Sequence, residues 1–151
     1  MLICLITKEE RLQSAQLLTI ESSDLTISAA DDAIHCDYTL QIGAEGTDGP
    51  AISITDCDEG LEAAALHVAS GDIRIRASDD CLNAANSDLS GFDFSMDISG
   101  GTISAYTTDG DGFDSNGSMT ISGGTPPEKP DGGTPPERPD NASEPPEPGN
   151  L

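Results

Sequence analysis

The chain has no tryptophan, two tyrosines and three phenylalanines, so aromatic residues make up only 3% of it. At 151 residues and 35% hydrophobic content, that scarcity excludes a conventional globular core built on large side chains. What remains for a single domain is a thin, repetitive core of Ile, Leu and Val. Basic residues are almost as scarce: six Lys and Arg stand against 28 Asp and Glu, a formal net charge of −22. Such a chain repels nucleic acid and anionic membrane surfaces, so neither is an expected partner. Its direct electrostatic partners are cations, and a polyanion binds only if multivalent ions first neutralise the acids and bridge to it. Long apolar runs are missing too. Met1-Leu2-Ile3-Cys4-Leu5-Ile6 has no basic residue ahead of it and turns charged at Lys8-Glu9-Glu10, so neither a signal peptide nor membrane insertion is expected. The cysteines, Cys4, Cys36, Cys57 and Cys81, form no C-x-x-C pair, which leaves buried free thiols as the default.

What is present is a repeat. Ser78-Asp79-Asp80-Cys81-Leu82-Asn83 has three relatives, Asp31-Asp32-Ala33-Ile34-His35, Asp58-Glu59-Gly60-Leu61-Glu62 and Gly110-Asp111-Gly112-Phe113-Asp114. The apolar anchors Ile34, Leu61, Leu82 and Phe113 lie 27, 21 and 31 residues apart. The surplus over the shortest unit falls in Gly43–Pro50, rich in turn formers, and near Asn86–Gly91. Between the anchors the apolar period is two: Leu18/Ile20, Leu25/Ile27, Leu40/Ile42, Ile52/Ile54, Leu66/Val68, Ile73/Ile75, Met96/Ile98 and Met119/Ile121 read as short strands with one buried face. A period near 20 with several strands per unit predicts an all-β, right-handed parallel β-helix of about four to five coils. Leucine-rich repeats fail for want of an L-x-x-L-x-L pattern, and a calcium-binding toxin roll for want of a nine-residue period.

Residues 18–125 form that domain. Residues 1–17 are expected to cap it, with Thr7-Lys8-Glu9-Glu10 as a capping box opening a short helix over 7–16. Residues 126–151, which hold nine of the ten prolines and a repeated Thr-Pro-Pro-Glu-Lys/Arg-Pro-Asp unit, are expected to be a disordered polyproline-type tail.

Equivalent positions of successive coils stack about 4.8 Å apart, the spacing of neighbouring strands, so sequence columns become spatial ladders. Three positions before the anchor stand Asp31, Asp58 and Asp79, with Gly110 ending the run; two before it stand Asp32, Glu59, Asp80 and Asp111. One position after it stand His35, Glu62, Asn83 and Asp114. Two carboxylates at that spacing repel by roughly 3–4 kcal/mol even at an effective dielectric near 20, so the stack invites a counter-ion. Calcium suits an irregular set of carboxylate and amide oxygens. Zinc is disfavoured because His35 and His67 do not repeat and have no second His or Cys at ligand spacing. An EF-hand fails because Phe113 and Asp114 stand where that loop needs other residues. The plain alternative is that these acids only bond nearby backbone N–H groups in turns.

Leu25 to His35, Glu59-Gly60-Leu61-Glu62-Ala63, Ala77 to Asn86 and Gly110 to Gly117 together resemble the bacterial carbohydrate-binding β-helix family, typified by clostridial surface proteins that bind cellulose and polygalacturonate and resemble pectate lyases in fold. The resemblance implies an extracellular or cell-surface, calcium-containing right-handed β-helix that binds acidic or cellulosic plant polysaccharide. Lyase chemistry in the resembling enzymes needs an Arg or Lys base. Lys8, Arg11, Lys129 and Arg138 lie outside the coils, leaving Arg74 and Arg76 on one outer face, where they could grip a uronate carboxylate as a fork or merely screen Asp72 or Glu62. Asp79-Asp80-Cys81 also resembles a carboxylate motif of polygalacturonases, whose companion G-H-G and R-I-K segments are absent. Tyr38 and Tyr106 are the candidate sugar platforms, with Phe92, Phe94 and Phe113 expected inside. A noncatalytic, calcium-stabilised carbohydrate-binding solenoid is the leading expectation. A calcium-dependent polyuronate lyase and a structural surface protein without sugar ligand are the alternatives.

Overall fold

Alternating apolar residues in short runs separated by Gly, Asp and Ser turns leave each run only one face to bury, and stacking successive runs is the way to bury it. The computed structural model of the chain describes residues 3–7, 12–14 and 16–125. Among the described residues there are thirteen strands: β1 (Ile3–Thr7), β2 (Leu12–Ser14), β3 (Leu17–Ile20), β4 (Asp24–Ser28), β5 (Ile34–Ile42), β6 (Ala51–Asp56), β7 (Leu61–Val68), β8 (Asp72–Ala77), β9 (Leu82–Ala84), β10 (Ser95–Ile98), β11 (Thr102–Thr107), β12 (Phe113–Ser115) and β13 (Ser118–Ile121). All pairings are parallel. They form a β-solenoid of about four turns, as the repeat predicts.

One sheet runs β1-β4-β6-β8-β11. The other holds two ladders side by side, because β5 and β7 run unbroken through a corner that splits the other rungs. Its anchor ladder is β2-β5-β7-β9-β12, and its second ladder is β3-β5-β7-β10-β13. The anchors pair as aligned in the sequence, Ile34 with Leu61, Leu61 with Leu82 and Leu82 with Phe113. Ile27, Ile54 and Ile75 likewise share one column and Leu25, Ile52, Ile73 and Ile103 another. These columns are the core: Ile27, Ile34, Leu40, Leu61, Leu66, Ile73 and Leu82 are fully buried. Cys36, Cys57 and Cys81 are buried free thiols, and burial above all pushes Cys57 up to about 12. In the last rung the inward column emerges, leaving Met119 and Ile121 exposed.

The expected helix over 7–16 is replaced by strand. Thr7 closes β1 and residues 12–14 are β2, paired in register with β4 and β5, so this segment is a rung of the solenoid. What reads as a capping box is the acid-acid spacing ahead of an apolar anchor, here Glu9-Glu10 before Leu12, with residues 8–11 and 15 outside the described residues. The Pro-rich tail, 126–151, lies outside them too.

The insertions fall where turn formers predict. The loop after β5 spans residues 43–50 and turns on Gly43, Gly46 and Gly49, with φ of 68°, 74° and 70°, a left-handed conformation open to glycine. Buried Ser70 clamps it, its Oγ donating to the Ala44 carbonyl (3.0 Å) and accepting from the Ala44 N–H (3.1 Å). The other insertion spans 85–94 between β9 and β10. Its Phe92 and Phe94 are half-buried on the outside of the solenoid, which corrects their expected place in the core. Phe92 meets Tyr38 edge-on at 6.0 Å and Phe94 at 5.6 Å. Phe113 is partly buried against the core, as its anchor position requires.

Candidate functional site

Three of the four anchors are preceded by a small buried residue, Ala33, Gly60 and Cys81 beside Ile34, Leu61 and Leu82, while Gly112 before Phe113 is half-buried. Two inward residues in succession force the positions on either side outward together. The column Asp32, Glu59, Asp80, Asp111 therefore faces the column His35, Glu62, Asn83, Asp114 across a shallow groove. Backbone bonds continue through the turn and hold the first column in step: Ala33 N–H donates to Glu59 O (2.8 Å), Gly60 to Asp80 O (2.9 Å) and Cys81 to Asp111 O (3.0 Å). Strand register holds the second, His35 against Glu62, Glu62 against Asn83 and Asn83 against Asp114. Gly110 ends the outermost acidic column for a steric reason, since a Cβ there would sit 2.5 Å from Asp79.

His35 is the centre of one end of the groove. Its Nδ1 is hydrogen-bonded to Glu62 Oε2 and lies 3.4 Å from Asp32 Oδ2, while Nε2 bonds Asp37 Oδ1 at 2.9 Å. Hydrogen bonds to Asp32 and then Glu62, with Asp37 adding to them against the opposing effect of burial, raise His35 to about 10. At neutral pH the ring is an imidazolium among three carboxylates. Asp32, His35 and Glu62 each offer a ligand atom within 4.8 Å of the others, the one such trio of His, Cys, Asp or Glu among the described residues.

Further along, no cation compensates the acids among the described residues. Burial raises Glu59 to about 7, opposed by a hydrogen bond from Asn83 Nδ2 (3.1 Å) and reinforced by Glu62, Asp32 and Asp80. Burial also raises Asp80, opposed by the Asp111 N–H (2.6 Å) and reinforced by Asp79, Asp114 and Asp111. Asn83 is 8% exposed, and its Oδ1 is buried with no hydrogen-bond partner.

The outermost acids are placed differently. Asp31, Asp58 and Asp79 are exposed, and Asp58 accepts a hydrogen bond from Ser78 Oγ (2.6 Å), a side-chain link between neighbouring rungs. The structure thus gathers Asp32, Glu59, Glu62, Asp80, Asn83, Asp111 and Asp114 along one groove and leaves Asp31, Asp58 and Asp79 on its rim. The sequence pattern puts His35 in the column yet argues against it as a zinc ligand for want of a second His or Cys, and it does not single out Asp37. The available signal was a histidine standing in an acidic column with an Asp two residues on.

A second surface lies on the outer face of the β4-β6-β8-β11 sheet. Ile73 and Ile75 point inward, so Arg74 and Arg76 point out together, flanked in register by Ser53 and by Ser104 and Tyr106. The Arg76 guanidinium lies 4.8 Å above the Tyr106 ring, and Arg74 Nη2 donates to Asp72 Oδ2 at 2.9 Å. Tyr38 is not part of this face; it packs on the 85–94 insertion at the corner of β5. Comparison with protein-family models, with curated proteins and with solved structures finds no match to the chain.

Proposed function

We propose that the solenoid is a noncatalytic carbohydrate-binding module for acidic or cellulosic plant polysaccharide, held rigid by calcium in its acidic groove. The carrying observation is the exposed Arg74, Arg76 and Tyr106 cluster in a chain otherwise dominated by acids. A planar guanidinium matches a uronate carboxylate, and an aromatic ring stacks on the apolar face of a sugar. Serines in the adjoining register positions supply hydroxyls along the same face. Arg74 is engaged by Asp72 and Arg76 by Tyr106, arrangements that orient cations for binding and favour recognition over proton abstraction.

The residues fit calcium by donor type: Asp80, Asp111 and Asp114 offer only oxygen and are near enough for like charge to help raise Asp80, although their carboxylates stand further apart than the Asp32, His35 and Glu62 ligand atoms. Calcium there would offset most of that charge and link two rungs. The uronate-rich ligand and the acidic chain would otherwise repel, so bound ions also lower the barrier to approach.

Affinity electrophoresis in polygalacturonate and pull-down on cellulose, each with and without calcium, test the reading. Retention that weakens about tenfold in Arg76→Ala and Tyr106→Ala, about 1.4 kcal/mol, is the expected result. Retention that neither variant changes, or none on either glycan, overturns it. Release of unsaturated uronate product would assign a lyase instead.

A further inference from the structure

We propose that Asp32 Oδ2, His35 Nδ1 and Glu62 Oε2 form a three-ligand site for a borderline divalent cation of the zinc class, distinct from the calcium positions further along the groove. The inference deepens the metal half of the proposed function and is independent of any glycan.

Three features of the geometry point to it. The ligand atoms lie within 4.8 Å of one another, and the Nδ1 to Asp32 Oδ2 separation is 3.4 Å. Zinc bonds of about 2.0–2.2 Å in a tetrahedron place neighbouring ligands about 3.4 Å apart, so that edge is already set. Glu62 stands closer, at hydrogen-bond distance from Nδ1, and a rotation of its side chain opens that edge. The second feature is Asp37. Its Oδ1 lies 2.9 Å from Nε2, so it holds that nitrogen as the N–H and turns the other toward the ion, the carboxylate–histidine–metal relay that fixes ring orientation in metal sites. The third is Asn83, which flanks Glu62 in register with its amide nitrogen committed to Glu59. Its buried Oδ1, without a partner, is an acceptor in the same groove that a metal-bound water, a proton donor, satisfies. The fourth coordination position is that water's.

Imidazole is what separates this end of the groove from the other. A nitrogen ligand favours zinc, cobalt or nickel, whereas an all-oxygen set favours calcium. On binding, the Nδ1 proton leaves to solvent and the metal takes its place between the two carboxylates, so the cluster keeps a cation throughout.

The test uses the full chain under reducing conditions with the metal alone: calorimetry with zinc and with calcium, and the visible absorption of added cobalt(II). Zinc and cobalt binding is expected in the wild type, lost in His35→Gln, kept in His67→Gln and weakened about 10–100-fold in Asp37→Asn. Calcium binding is expected to survive His35→Gln. Far-ultraviolet circular dichroism checks that His35→Gln retains the strands, and Glu62→Gln, which keeps the side-chain shape, must show the same loss of cobalt absorption. Zinc binding that persists in both His35→Gln and Glu62→Gln, or that is lost instead in His67→Gln, overturns the inference. Calcium binding without zinc binding overturns it and leaves the calcium groove standing. Binding of neither ion overturns both.

Discussion

The two ends of the groove use the same columns of the same repeat and differ in how their charge is compensated. At one end the acidic rungs enclose His35, an imidazolium held by Asp32, Glu62 and Asp37. At the other, Asp80, Asp111 and Asp114 face one another with no cationic side chain paired to them among the described residues. The difference comes from a single column position, which reads His35, Glu62, Asn83, Asp114 along the stack. A solenoid can therefore change the electrostatic character of a site rung by rung without altering its backbone.

That contrast predicts opposite signs for substitutions at the two ends in metal-free protein. His35→Leu removes a cation that contacts three carboxylates. Breaking a buried pair costs about 3–5 kcal/mol, and partial solvation reduces this to about 2–3 kcal/mol. Asp80→Asn relieves like-charge repulsion and is expected to stabilise by about 1 kcal/mol. Urea denaturation in chelator measures both, and equal signs would erase the distinction.

Calcium should reverse the second result. With the ion present, Asp80→Asn loses a ligand, so the rise in melting temperature on adding calcium is expected to shrink in this variant and to persist in His35→Leu. Calorimetric melts with calcium and with chelator give the two increments.

The pH profile of the metal-free protein sharpens the comparison further. Glu59 is raised from 4.5 to about 7, so the fold favours its protonated form. That contribution is complete below 4.5 and is lost as pH rises through about 7. His35 is raised from 6.5 to about 10, so its contribution is complete below 6.5 and disappears as pH rises through about 10. Stability is expected to fall continuously from about pH 4.5 to about 10, through Glu59 in the lower part and His35 in the upper part. Glu59→Gln should flatten the lower part of that fall and leave the upper part, as read from urea midpoints across pH.

The smallest effect is expected on the rim. Asp58→Asn removes a charge from an exposed turn while keeping an acceptor for Ser78, and its change should stay within about 0.5 kcal/mol. A larger loss only in the presence of calcium would move Asp58 into the ion-binding set.

The solenoid was legible because its signal is one-dimensional. Ile34, Leu61, Leu82 and Phe113 can be aligned by eye, and parallel stacking turns the alignment directly into register. The N-terminal rung was obscured because Glu9-Glu10 ahead of Leu12 satisfies a helix capping pattern and an acid-acid-anchor pattern equally, and only the pairing partner decides between them. The ladders of acids were readable as columns. The depth of each column was not, since it depends on which neighbours point inward: the buried pairs Ala33-Ile34 and Cys81-Leu82 sink Asp32 and Asn83 beside them, while Asp31, Asp58 and Asp79 stay on the rim. The role of Asp37 was hidden by the expectation that metal ligands come in histidine or cysteine pairs, and the outward position of Phe92 and Phe94 by the assumption that scarce aromatics must be buried.

The loops at 43–50 and 85–94 lengthen two coils while the strands on either side remain in register. Position along the groove is set by hydrogen bonding between rungs, so it does not depend on how many residues separate one acid from the next. The molecule behaves as a ruler whose graduations are spaced by the backbone, with text of any length allowed between the marks. New sequence can enter at Gly46 or near Ser87 and leave the distance from His35 to Asp114 unchanged, which frees the margins of the solenoid to diversify while the charge pattern stays fixed.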